Sequence, residues 1–264
     1  MADTPGVIPR AARRSQSLLG MASLLAGLLG WWLIARTADL PTFILPSPGN
    51  VWMRFLTAAA DGSLAFHAGA TLMEILLGLS LGVGLATFTG YAVAKSRALE
   101  RLLSPYLVAS QAVPLVAIAP LLVIWFGPGM FSKVLICAMI VFFPVLVNTI
   151  VGVRAVPPAL QDLMRSLRAR RGQILLKLEI PAALPVFLGG LRIGATLSVI
   201  GAVVGELVGS DRGLGFLINV GRGQYDTALV FVAVFVLIAM ALCLYGIVAW
   251  LEARTLLWQD WRKE

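Results

Sequence analysis

The chain has 264 residues, 59% of them hydrophobic and only 13% charged, with 21 Lys and Arg against 13 Asp and Glu for a net charge of +8. That balance excludes an ordinary soluble enzyme. The basic surplus must be read by position before it is taken as a nucleic-acid footprint.

A bilayer core of about 30 Å needs roughly 20 apolar residues per helix. Six stretches supply them: 17–35, 68–94, 105–126, 132–153, 181–208 and 226–250. The expected organisation is therefore all-α, with a tail at 1–16, a six-span membrane domain at 17–253 and a second tail at 254–264. Arg10, Arg13 and Arg14 precede the first stretch as they would a signal peptide. Its apolar run is too long for that, Trp31 and Trp32 sit at its far end, and Arg36 stands where cleavage needs a small residue, so it reads as a retained anchor. Residues 36–67 form a loop in which Leu45-Pro46-Ser47-Pro48 marks a turn or a short surface helix. His67, beside the mouth of span two, reads as a solvated cap.

Gly78, Gly82, Gly84 and Gly90 in span two, with Gly189, Gly190 and Gly194 in span five, predict close helix approach. Pro114 and Pro120 predict kinks in span three and Pro144 one in span four. Cys137 and Cys243 lie in apolar runs and read as buried small hydrophobes, neither a disulfide nor a metal site. The final residues mix Trp258 and Trp261 with Arg262 and Lys263, as where a helix leaves through the headgroups.

With the N-terminus inside, 15 basic residues fall on the cytoplasmic side and five on the other: Arg36, Arg54, Lys133, Arg212 and Arg222. This is the positive-inside pattern, and it puts both termini in the cytoplasm. Topology and anionic headgroups then account for the charge, and no nucleic-acid partner is needed.

The 27-residue loop at 154–180 is longer than neighbouring spans require. Leu160, Leu163, Met164 and Leu167 fall at i, i+3, i+4 and i+7 after Pro157-Pro158, which predicts a short amphipathic helix. The pattern alone fits either an interfacial helix on lipid or a docking helix on a cytoplasmic partner.

The string from Asp162 to Pro181 resembles the cytoplasmic loop of ABC importer permeases, whose pattern is Glu-Ala-Ala, three residues, Gly, nine residues, Ile-x-Leu-Pro. Asp162-Leu163-Met164 stands in the first place, Arg168 in the Gly place and Leu178-Glu179-Ile180-Pro181 in the last, without a gap. From Leu45 to about Tyr225 the chain also resembles the nitrate, taurine and sulfonate branch. The strings that carry this include Pro120 to Gly127 (PLLVIWFG), Phe143-Pro144 with Asn148-Thr149, Gly190-Leu191-Arg192, and Glu206 followed by Gly213-Leu214-Gly215.

The resemblance implies a permease subunit of the bacterial inner membrane that dimerises, frames a pathway between its copies and receives solute from a binding protein. The cargo in that branch is a small anion (sulfonate, taurine, nitrate or bicarbonate) or sometimes a small nitrogen heterocycle. It also implies docking of two separate ATPase subunits on the fourth loop, through Asp162, Leu163, Met164, Arg165, Leu167, Arg168 and Gly172. No Gly-x-x-x-x-Gly-Lys-Ser/Thr string is present, so ATP and Mg are expected on the partner and no cofactor on this chain. Arg168 departs from the pattern, because Gly there permits a left-handed backbone; Gly172 could host a displaced turn.

Ionisable residues inside spans are functional candidates, and here they are Glu74, Arg192 and Glu206, each with a helix-pairing role as the alternative. A passive channel or ion-coupled carrier needs more polar lining than these three supply. A membrane enzyme is not supported either, for want of a metal cluster or a Ser-His-carboxylate set.

Overall fold

The computed structural model describes residues 10–38 and 40–256, with side chains described from residue 19 onward apart from those of 20 and 24. Within them all the regular secondary structure is helical, and there is no strand. Helix α1 spans Arg10–Thr37 and α2 spans Pro48–Ala60. The Leu45-Pro46-Ser47-Pro48 string is the entry to α2: Ser47 caps it by accepting the Asn50 N–H at 3.2 Å, and Pro48 occupies the first turn, where no N–H is required. Helix α3 (Ser63–Lys95) ends where Ser96 turns extended; Ser96 then caps α4 (Arg97–Ala112) through the Leu99 N–H.

The expected third span, 105–126, is not one rod. Helices α4 and α5 (Leu115–Phe126) meet at 95°. Pro114 stands at the break, where its missing N–H and the extended backbone it imposes on Val113 end one helix and begin the next. Helix α6 (Met130–Arg154) follows, then α7 (Pro158–Ser166), α8 (Arg171–Ile174), a π-helical turn at Leu175–Glu179, α9 (Ile180–Val208), α10 (Leu214–Gly223) and α11 (Thr227–Thr255).

Among the described residues four helical rods are long and apolar enough to cross a bilayer: Ser63–Lys95, Met130–Arg154, Arg171–Val208 and Thr227–Thr255, with the α4/α5 pair as a broken fifth. The expected first span falls on α1, whose apolar stretch, Met21–Thr37, is shorter than these. The side chains of Arg10, Arg13 and Arg14, and the terminal Trp258, Trp261, Arg262 and Lys263, lie outside the described residues.

Helix α6 is the central rod, packed along both α3 and α9. Two glycines permit this. A Cβ at Gly82 of α3 would lie 2.7 Å from the Ala138 carbonyl oxygen, and one at Gly201 of α9 would lie 2.7 Å from the Cα of Cys137. Backbones this close gain dispersion that bulkier residues would forfeit. Cys137 is fully buried in this seam, whereas Cys243 on α11 is exposed rather than buried as expected. The outer surface is apolar: Ile124 is 74% exposed and Leu242 66%, a distribution suited to hydrocarbon rather than water.

Candidate coupling and pathway sites

At the end of α6, Pro157-Pro158 starts α7, and the helix presents Leu160, Leu163 and Leu167 outward while Met164 is half-buried. Leu167 is 68% exposed. Asp162 and Arg165 pair at 3.1 Å on the open face, where an ion pair contributes little to stability.

The helix ends in a paired-bond turn. The Arg168 N–H donates to the Arg165 carbonyl at 2.9 Å and the Ala169 N–H to that of Met164 at 3.0 Å. Arg168 itself lies in the left-handed region, with φ 51°. The turn therefore stays at Arg168 and is not displaced. Gly172 lies inside α8 without a positive φ, which removes the shifted-turn expectation. The physical reason is that the two paired bonds satisfy carbonyls that the helix end would otherwise orphan, against a left-handed penalty of about 1 kcal/mol for a side-chain-bearing residue.

Beyond the turn, α8, the π turn and α9 run on as a single 38-residue rod. At about 1.5 Å per residue this carries a displacement at α8 through the full length of α9. Glu179, in the π turn, is buried at 3% exposure, accepts the Tyr91 hydroxyl at 3.0 Å and is ion-paired with Lys95. Arg154 at the end of α6 reaches Glu100 of α4 at 2.7 Å. The ends of α3, α4, α6 and α9 nearest α7 are thereby pinned by ion pairs.

At the opposite end, two of the three expected intramembrane charges meet. Glu74 of α3 is fully buried and lies 2.6 Å from the ammonium of Lys133 on α6, a close charge contact without hydrogen-bond alignment. Lys133 also donates to Ser210 Oγ at 2.8 Å. It is a buried member of this cluster and not the outer-loop cation expected from its position.

Glu206 of α9 is also fully buried. It accepts the Thr71 hydroxyl at 2.6 Å and the Gly215 N–H at 2.5 Å. Thr71 in turn accepts the Leu214 N–H at 2.8 Å, and His67 Nδ1 accepts the Gly213 N–H at 3.1 Å. His67 is thus a packed acceptor, its ring between Phe66 and Phe216, and not the solvated cap expected. The Gly213-Leu214-Gly215 string earns its glycines here: Gly213 has φ 110°, and a Cβ on Gly215 would lie 2.8 Å from the Glu206 side chain.

Arg192 stands apart from this cluster. It is ion-paired with Glu252 of α11, donates to the Tyr245 hydroxyl at 3.2 Å and has its guanidinium 4.9 Å from the centre of that ring. Among the described residues no three His, Cys, Asp or Glu side chains gather for a metal.

Residues 78–257 match the family described as the binding-protein-dependent transport system inner membrane component. The chain belongs to that family. It is an ABC transporter permease of the importer type, a multi-pass protein of the inner membrane. The permease is 45% identical over 242 residues to the riboflavin transport system permease protein of Chloroflexus aurantiacus, covering 91% of this chain and 90% of that one. It is 36% identical to the formylaminopyrimidine transport permease protein of Halalkalibacterium halodurans, covering 87% and 91%, and 34% identical to the taurine transport system permease protein of Escherichia coli, covering 86% and 85%. Its fold is that of the inward-facing MetNI methionine ABC transporter, with TM-score 0.60 and 18% identity over 72% of this chain and 94% of that one. A crystallised amino acid ABC transporter gives TM-score 0.60 and 18% identity over 75% and 96%.

The permease also has a cavity of about 630 Å³ toward the ends of α3, α6 and α9 nearest α7. Phe88, Tyr91 and Phe187 give it aromatic walls, and Thr87, Thr149 and Glu179 its polar atoms. No Lys or Arg lines it. Sequence reading missed Lys133, Thr71, His67 and the Lys95–Glu179 pair. Lys133 and Lys95 had a signal, lying at span ends in register with a carboxylate on another span, but a single sequence does not say which spans are neighbours.

Proposed function

We propose that two copies of this permease frame a transmembrane path, with both termini cytoplasmic, and that α7 of each copy docks one ATPase subunit carrying ATP and Mg. The observation that carries this reading is the uncovered apolar face of α7, joined through a fixed turn to a rod that continues into α9. An apolar face on a lever of this kind transmits motion when its knobs sit in a partner's groove. Asp162, Leu163, Met164, Arg165, Leu167 and Arg168 form the docking element, and Gly172 lies in the rod just beyond it. A binding protein delivers the solute from outside. The buried cluster of Glu74, Lys133 and Glu206 braces the outer end of the bundle, and Arg192 pairs α9 with α11.

The cargo we propose is a small nitrogen heterocycle. Relatives named for riboflavin and formylaminopyrimidine are 45% and 36% identical to this chain. The cavity has aromatic walls and no Lys or Arg in its lining, and its one carboxylate, Glu179, is neutralised by Lys95, which suits a flat neutral ring better than an anion. A small anion such as taurine or a sulfonate is the second reading, favoured by the relatives named for those solutes at 34% and 32% identity.

Leu167→Asp tests the docking element. A charge placed among the knobs should abolish co-purification of the ATPase with the affinity-tagged permease. An unchanged yield of complex refutes the assignment of α7.

A further inference from the structure

Three side chains from two helices hold the start of α10, and one of them can lose its grip by taking up a proton. We propose that the contact between His67 and Gly213 is a proton-operated clasp, which fastens α10 to α3 when the imidazole is neutral and opens when it is protonated.

The first three amides of the α10 entry each have a side-chain acceptor: Gly213 N–H on His67 Nδ1, Leu214 N–H on Thr71 Oγ1 and Gly215 N–H on Glu206. This satisfies donors that a helix start leaves without intrahelical partners. Imidazole accepts at Nδ1 only in the neutral tautomer that carries its hydrogen on Nε2. Protonation places an N–H at Nδ1 facing the N–H of Gly213, and a hydrogen bond becomes a donor–donor contact. The helix start, positively polarised, also disfavours the new cation.

Stacking on Phe216 at 5.5 Å and edge contact with Phe66 at 5.2 Å keep the ring in place, so the change is confined to the hydrogen bond. The charged groups of the clasp region are Glu74 from α3, Glu206 from α9, Lys133 from α6, and Asp211 and Arg212 from the connection before α10. Lys133 engages Glu74, Glu206 is held by Thr71 and Gly215, and Arg212 lies 4.0 Å from Asp211. None of these carboxylates hydrogen-bonds the imidazole. The contact is intact on the alkaline side of the His67 titration and lost on the acid side. In the orientation proposed above, α10 faces outside, so the clasp reads external pH.

The sequence contains one histidine, which makes the test direct. Full-length permease carrying a histidine-free affinity tag is purified in detergent with ¹⁵N-labelled imidazole, and its ring nitrogen shifts are followed through a pH titration. Amide exchange of the peptide containing Gly213 to Gly215 is measured alongside, corrected for intrinsic rates. The clasp predicts the Nε2–H tautomer at neutral pH, with protection falling about 2- to 12-fold through the titration, the factor carried by one neutral hydrogen bond. His67→Asn, which keeps an acceptor near the Nδ1 position and does not titrate, should hold protection flat.

A hydrogen on Nδ1 at neutral pH overturns the proposal, as does pH-independent protection in the wild type. An unaltered pH response in the Asn variant assigns the effect to another group and overturns it too. If that variant does not fold, the wild-type tautomer and exchange titration decide the question. None of these readouts requires a cargo or an ATPase, so they fail or succeed separately from the transport reading.

Discussion

Lys133 is the cation paired with the fully buried Glu74, and replacing it with methionine should be among the most damaging single changes in the membrane domain. Lys133→Met preserves length and apolar stem but leaves the buried Glu74 without its countercharge. Breaking a buried pair by removing one partner costs about 3–5 kcal/mol. For a chain of this size, where about 1 kcal/mol shifts the melting midpoint by roughly 2–4 °C, the midpoint should fall by roughly 6–20 °C. Adding Glu74→Leu removes the orphaned charge, while Glu206 keeps Thr71 and the Gly215 N–H. The double variant should therefore recover most of the loss, with a coupling energy of about 2 kcal/mol or more. Intrinsic tryptophan fluorescence during heating in detergent measures all four corners of the cycle. Because the pair is out of solvent, the coupling should change little with added salt. Equal losses in the single and double variants would refute the electrostatic argument and leave only packing.

Arg168→Gly removes the left-handed penalty at the end of α7, and the amides of Arg168 and Ala169 should exchange up to about fivefold more slowly, corresponding to about 1 kcal/mol. Faster exchange would contradict the paired-bond turn. Gly201→Val places a side chain 2.7 Å from the Cα of Cys137 and should cost at least about 1–3 kcal/mol in thermal unfolding. Gly246→Ala, with nothing within 4 Å, is the control and should be neutral or stabilising by up to about 1 kcal/mol. Similar midpoints for the two would show that α6 and α9 do not approach as closely as described.

The long rods were legible because apolar length alone specifies them. The predicted stretches 68–94, 132–153, 181–208 and 226–250 fall on α3, α6, α9 and α11. The short helix after Pro157-Pro158 was legible from its 3–4 spacing. At Pro114 the sequence predicts only a kink within one span, because composition does not distinguish a bent helix from two helices at 95°. Arg168 was harder: residue propensity favours a glycine at a left-handed position, yet the turn is set by backbone N–H bonds to Arg165 and Met164 that any residue but proline can donate. The buried cluster was half legible. Glu74 and Glu206 stand out as charges in apolar runs, whereas Lys133, at a span end, looks like a headgroup contact until α6 is packed between α3 and α9. His67 shows the same limit, since an acceptor 146 residues from its donor leaves no local trace.

Transport into proteoliposomes tests the central claim most directly. With the permease, its ATPase, its binding protein and labelled riboflavin, uptake should require ATP inside the compartment that α7 faces, and Leu167→Asp should abolish uptake while the variant still folds. Should the flavin not be carried, taurine replaces it as the anionic cargo under the same conditions. Solute movement by the permease alone, or ATP-driven uptake undiminished in the Leu167→Asp variant, would contradict the account.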